Sequence, residues 1–227
     1  MGKNHMQFCK LMRLTALLFL IGGGPAVGGD LLDLVVPVYQ VRDASMKEAL
    51  EELREWGLLV GFEELSTESD RRISITLYGA SIRSILDALT SGQRGYRWQR
   101  YQSRLSPGSD LVIVNIMPVH ALEDGQSVMN LKVREFKWSN IRPSIDLLRL
   151  HELVPELRSL YREVAAAGSA GSRIFGVGKS PLGDFAISAV FRNLTLREIL
   201  NEVSLRTGTS WTYERTSSPW PHRWRTF

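Results

Sequence analysis

The chain has 227 residues, with 28 basic and 24 acidic side chains, a formal net charge of +4 and one cysteine, Cys9. Three basic residues and no acidic ones lie before residue 29, so the rest carries 25 basic and 24 acidic residues and a net charge of +1. This balance lacks the basic surface that nucleic-acid binding needs, and we expect no nucleic-acid partner. Beyond Cys9 there is no cysteine, which excludes disulfides, a thiol nucleophile and cysteine-ligated metals there.

Residues 1–28 have the composition of a secretory signal peptide. Basic residues precede an apolar run over 14–21, and small residues at 26–28 suit a signal peptidase. The run is far shorter than the ~20 residues that span a bilayer. We predict cleavage near Gly28 and export to the periplasm, with an uncleaved anchor as the alternative. A lipid anchor is not expected, because Cys9 precedes the apolar run.

An eight-residue pattern then occurs three times, and such a recurrence indicates a repeated structural unit. The copies are Asp43–Leu50, Gly79–Leu86 and Asn193–Leu200. In each, a Ser or Thr lies where a helix N-cap belongs, and the apolar residues after it share one helix face. The residues before it alternate as in a half-buried strand. Each copy therefore predicts a strand that leads into a capped helix.

In chain order, the first region alternates strands and helices. We predict strands over 35–41, 58–62 and 73–78, helices over 45–56 and 81–91, and a hairpin of 96–104 with 111–116. Residues 63–70 are predicted to be a polar loop, and residues 119–127 a linker.

The second region repeats this plan in a looser form. We predict a strand over 128–136, a helix over 143–167 broken at Pro155, a loop over 165–183, a helix from Thr195, a strand through 211–213 and a final strand over 222–227. The sequence thus predicts an α+β fold of two small domains, 35–118 and 128–227. Each domain is expected to have two helices packed against short mixed β-sheets.

Residues 35–118 resemble the secretin and TonB short N-terminal domain. The resemblance is carried by Tyr39-Gln40-Val41 before Ala44–Leu50, by Ile73-Ser74-Ile75 before Ala80–Leu86, and by Tyr96-Arg97-Trp98 with Leu111–Val114. It implies two helices packed between small sheets, a periplasmic location, and contact with a partner such as a secretin or a TonB-dependent receptor. Residues 128–227 look similar over their second half only. Proteins of that family continue into a membrane β-barrel, so we expect this chain to be a separate protein and not the pore or receptor.

Catalytic and metal motifs are incomplete in this sequence. Gly-Lys-Ser at 178–180 ends like a phosphate-binding loop, but Arg173 occupies the position of the required earlier glycine. His-Glu at 151–152 begins like a zinc-protease motif, but Pro155 stands at the position of the second histidine. We therefore expect no enzymatic activity, no metal and no cofactor.

Aromatic and basic residues interleave near the C-terminus, at Trp220, Arg223, Trp224 and Arg225. Such side chains anchor protein interfaces or stack on sugars, and these four are our candidate partner-binding residues. The competing interpretation is a terminal strand whose tryptophans pack on the last helix. The sequence favours a non-enzymatic periplasmic adaptor, peripheral to the outer membrane. The alternative is a carbohydrate- or peptidoglycan-binding protein that uses these aromatic residues.

Overall fold

The computed structural model describes residues 30–65, 71–92, 95–105, 111–123, 127–141, 154–159, 187–215 and 223–226. The elements are β1 Val35–Ala44, α1 Met46–Arg54, β2 Leu59–Leu65, β3 Ile73–Ser81, α2 Ile82–Gly92, β4 Tyr96–Tyr101, β5 Ile113–Pro118, β6 Lys132–Ile141, β7 Ile187–Thr195, α3 Leu196–Thr207, β8 Trp211–Arg215 and β9 Arg223–Thr226. Short 3₁₀ turns lie at Leu31–Asp33 and Val128–Asn130, and residues 155–159 are helical. None of the helices within these ranges is long and apolar enough to cross a membrane.

The predicted helix caps form as the repeated pattern indicates. Ser45 Oγ accepts from the backbone N–H of Glu48 at 3.2 Å, and the Glu48 carboxylate accepts from the backbone N–H of Ser45 at 2.7 Å. The same reciprocal pair joins Thr195 and Glu198, at 3.3 and 2.7 Å. In the middle copy, Ser81 Oγ accepts from the N–H of residue 84 at 3.1 Å. These caps satisfy backbone donors that a helix start otherwise leaves without partners.

A five-stranded sheet lies at the centre, in the order β4-β5-β2-β8-β9. Strand β2 pairs in parallel with both β5 and β8, whereas β4–β5 and β8–β9 are antiparallel. Two further antiparallel ribbons, β1–β3 and β6–β7, have two strands each. The predicted α+β fold class is confirmed.

The central sheet combines strands from both predicted domains. The sequence predicts separate sheets for 35–118 and 128–227, but β2 and β8 pair directly, from Gly61 with Trp211 to Leu65 with Arg215. Residues Leu31–Phe227 accordingly form one compact unit. The alternation of apolar residues specifies a strand but not its neighbour, so this pairing was not accessible from the local pattern. The domain boundaries themselves stay a prediction.

Each face of the central sheet carries its own hydrophobic core, because side chains alternate along a strand. Val60 and Val114 contribute to the core that contains Leu86, together with α1, α2, β1 and β3. Their neighbours Leu59 and Ile113 contribute to the other core, which contains α3, β6 and β7. The sheet is therefore the shared wall between two layers.

Single elements also differ from their predicted bounds within the described ranges. The predicted polar loop over 63–70 is wrong at its start, because β2 continues to Leu65 and Glu63 is buried. The predicted strand over 128–136 begins with a 3₁₀ turn, and β6 extends further than predicted, to Ile141. The signal peptide, the 165–183 loop, the Gly-Lys-Ser stretch and most of the 143–167 helix lie outside the described residues.

Candidate functional site

The β1–β3 ribbon presents an apolar pair on its outward side. Tyr39 and Val41 point into the core, and the Tyr39 hydroxyl donates to the carbonyl of Ala49 at 2.8 Å, which fixes the ribbon to α1. Val38 and Tyr78 lie directly opposite each other across the two strands. Their exposed fractions are 51% and 76%. A firmly held strand pair thus displays an aliphatic and an aromatic side chain to solvent.

The outward face of this ribbon is mixed in polarity. The pair next to Val38–Tyr78 is Gln40–Thr76, whose side chains are joined by a hydrogen bond of 3.2 Å. In the part of the chain that the structure describes, this sheet has two strands, so β1 and β3 each have one backbone edge without a strand neighbour. Such edges accept an added strand from another protein. The ribbon therefore combines an exposed apolar pair with strand edges that have no strand neighbour in the described part of the chain.

A second feature is a cleft of about 610 Å³ between the β4–β5 hairpin and the N-terminal half of α3. We call it the polar groove. Its lining is rich in amide side chains and contains one tyrosine: Gln99, Gln102, Asn115, Asn130, Asn201 and Tyr101. The groove lies between strands of the first predicted region and a helix of the second. Its shape therefore depends on how the β4–β5 hairpin and α3 pack together.

One wall of the polar groove is held by a buried ion pair. Arg197, in the first turn of α3, donates through Nε to Glu63 Oε1 and through Nη2 to Oε2 at 3.2 Å. The Arg197 and Glu63 side chains are only 6% and 5% exposed. Arg197 Nη1 also donates to Asn130 Oδ1 at 2.6 Å, and Asn130 Nδ2 donates to the carbonyl of Ala121 at 2.7 Å. This network joins α3, β2 and the segment after β5.

The other wall is held by a fully buried carboxylate. Glu202 of α3 accepts from the Tyr101 hydroxyl, the Ser103 hydroxyl and the Arg104 backbone N–H, each at 2.9 Å. Burial, and then the negative charge of Glu202, raise the pKa of the Tyr101 hydroxyl above its ordinary value. The hydroxyl therefore stays protonated and donates, which fixes the ring of Tyr101 against the groove.

Beneath the groove, Gly61 lies between two large neighbours on the same sheet face. A Cβ added at Gly61 would lie 2.4 Å from the Trp211 ring and 2.6 Å from Asn115 Oδ1, so this position accommodates only glycine without displacement. Trp211 Nε1 donates to Asn201 Oδ1 at 2.9 Å. Asn201 Nδ2 and Asn115 Oδ1 are buried and have no hydrogen-bond partner among the described residues.

The sequence did not single out these groove residues. The sequence predicts a loop at Glu63. Arg197 occupies the basic position of the repeated pattern, and the equivalent residues of the other two copies, Lys47 and Arg83, are only partly buried. One signal was available: Leu59, Gly61 and Glu63 alternate, which places Glu63 on the buried face if the strand is extended by a few residues.

Three of the four predicted partner-binding residues lie on β9. Arg223 pairs in register with Glu214, Trp224 with Tyr213, and Arg225 with Thr212. The predicted final strand is thereby confirmed, and β9 is the last strand of the sheet in the described region. Trp220 lies outside the described residues. Partner binding by these four residues stays a prediction.

Within the described ranges, no group of three His, Cys, Asp or Glu side chains could hold a metal ion. Comparison with known proteins found no matching family model, no matching curated protein and no matching solved structure.

Proposed function

We propose that this protein is a non-enzymatic adaptor of the bacterial cell envelope that binds a partner protein through the β1–β3 ribbon. The observation that carries the proposal is the Val38–Tyr78 pair, opposed across the ribbon and exposed by 51% and 76%. The partner class is a secretin or a TonB-dependent receptor, which is what the resemblance of residues 35–118 implies.

The side chains of Val38 and Tyr78 are suited to a protein–protein contact. A single exposed apolar residue is ordinary on a protein surface, but an opposed Val–Tyr pair offers a joint apolar area with a polar hydroxyl at its end. Tyrosine is enriched among the few interface residues that supply most of the binding energy. The adjacent strand edges supply main-chain hydrogen bonds to an extended segment of the partner.

Two further observations support the proposal. The helices α1 and α2 share one core with the β1–β3 ribbon and with one face of the central sheet, an arrangement like the one that the resemblance implies. The composition of residues 1–28 supports export, and we place the protein in the periplasm, peripheral to the outer membrane.

Replacing both Val38 and Tyr78 by Ser should abolish most partner recovery. In affinity capture from an envelope extract, we expect the tagged wild-type chain to retain a secretin or a TonB-dependent receptor. We expect the double variant to retain roughly thirty-fold less, which corresponds to the loss of a hot spot of about 2 kcal/mol. Quantitative mass spectrometry of the eluate measures this ratio.

A matched control is Val190→Ser, because Val190 is also an exposed valine on a two-stranded ribbon, with 42% of its surface accessible. Its recovery should equal that of the wild type. Equal recovery by the Val38→Ser/Tyr78→Ser variant would contradict the proposal. So would retention on purified peptidoglycan with no secretin or receptor in the eluate, a result that favours the carbohydrate-binding alternative.

A further inference from the structure

The polar groove has the size of a small-molecule site. Its volume of about 610 Å³ lies within the range of roughly 300–1,000 Å³ that is usual for ligand pockets. It is open to solvent along Gln99 and Gln102, which are exposed, and reaches inward to Asn115 and Asn201, which are buried. Amide groups therefore extend from the rim to the floor.

The charges around the groove largely cancel. Arg197 is neutralised by Glu63 in the buried ion pair, and Arg104 Nη2 lies 3.2 Å from Glu198 Oε1 at the rim. Arg197 and Arg104, which both line the groove, are thus paired with carboxylates. A ligand with a high net charge gains little from such a lining, whereas a neutral polar ligand meets many hydrogen-bonding groups.

Two buried amides supply hydrogen-bonding capacity that the described part of the protein does not use. Asn201 Nδ2 is a donor and Asn115 Oδ1 an acceptor, and neither has a partner there. An unused buried polar atom costs free energy, and a hydroxyl group can both accept from one amide and donate to another. Both asparagines belong to the groove lining, so this donor and this acceptor lie next to the space that a ligand would occupy.

Tyr101 adds a fixed aromatic surface. Its hydroxyl is tied to Glu202 at 2.9 Å, and the ring is half-buried in the groove lining. A ring held in this way loses little conformational freedom when a ligand packs on it. Aromatic rings pack against the C–H faces of ring-shaped polar molecules, while surrounding amides bind their hydroxyl groups.

From this combination we propose that the polar groove binds a neutral, hydroxyl-rich ligand of the saccharide class. The described lining of the site shares no residue with the β1–β3 ribbon. It is therefore a second binding function, and its test is independent of partner capture.

Isothermal titration calorimetry of the purified chain tests this site with three probes: the tetramer of N-acetylglucosamine, maltotetraose and the anionic tetramer of galacturonic acid. We expect at least one neutral probe to bind with a Kd of about 1 mM or tighter, and the anionic probe to bind more weakly. The double variant Gln99→Ala/Gln102→Ala should weaken the neutral probe about tenfold, because it removes two hydrogen-bonding amides.

The control is Gln40→Ala, which removes an exposed amide from β1, outside the groove. It should bind the neutral probe like the wild type. Because Gln99 and Gln102 are exposed, their replacement should leave the fold intact, and circular dichroism verifies this. The proposal is overturned if neither neutral probe binds at about 10 mM, if the Gln99/Gln102 variant binds unchanged, or if the anionic probe binds best.

Discussion

Replacing Arg197 by Met should lower the free energy of unfolding by about 3–5 kcal/mol. Arg197 and Glu63 are 6% and 5% exposed, and the substitution removes the cation that neutralises the buried carboxylate. It also removes the 2.6 Å hydrogen bond from Nη1 to Asn130. Urea unfolding followed by circular dichroism measures the loss.

Two further variants distinguish the stability cost of leaving a buried charge without its partner from the cost of losing an exposed charge. Arg192 and Glu135 form an ion pair of 2.8 Å whose side chains are 63% and 42% exposed, so Arg192→Met should cost far less than Arg197→Met. The double variant Glu63→Leu/Arg197→Met should recover much of the loss, because it removes both buried charges. If Arg197→Met costs no more than Arg192→Met, the ion pair does not hold the two regions together as described.

Replacing Leu86 by Ala should cost about 2–5 kcal/mol of unfolding free energy. Leu86 lies in α2 with no exposed surface, inside the core between the helices and the central sheet. Truncation removes buried methyl groups and leaves a cavity that the surrounding side chains fill only in part. Thermal and urea unfolding measure the effect.

The control for this substitution is Ser91→Ala, on the same helix. Ser91 is exposed, and its hydroxyl makes one long hydrogen bond of 3.4 Å to the carbonyl of Ala88. Its change should stay within about 0.5 kcal/mol. A similarly small change for Leu86→Ala would contradict the placement of α2 in the core.

Local features were predictable from the sequence because they depend on residues close together in the chain. The cap of α1 requires only that Ser45 and Glu48 stand three residues apart, and the same holds for Thr195 and Glu198. The hairpin of β4 and β5 likewise followed from two strand-like runs on either side of a turn-rich stretch.

The polar groove was not predictable, because it depends on contacts between residues far apart in the chain. Glu63 and Arg197 are separated by 134 positions, and Gly61 meets Trp211 through a parallel strand pairing that no local pattern encodes. Glu63 also stands among polar residues in the sequence and therefore resembles a loop residue. Its burial becomes apparent only when its strand is known to be covered by a helix. The exposed Val38–Tyr78 pair was not predictable either. Alternation assigns the residues of a strand to two faces, but it does not say which large residues remain uncovered.

Site-specific photo-crosslinking in living cells tests the proposed partner contact most directly. A photoreactive amino acid would replace Tyr78 in one variant and Val190 in the other, and adducts would be identified by mass spectrometry. We predict that position 78 gives an adduct with a secretin or a TonB-dependent receptor and that position 190 does not. No protein adduct at position 78, or the same adducts at both positions, would contradict the adaptor function.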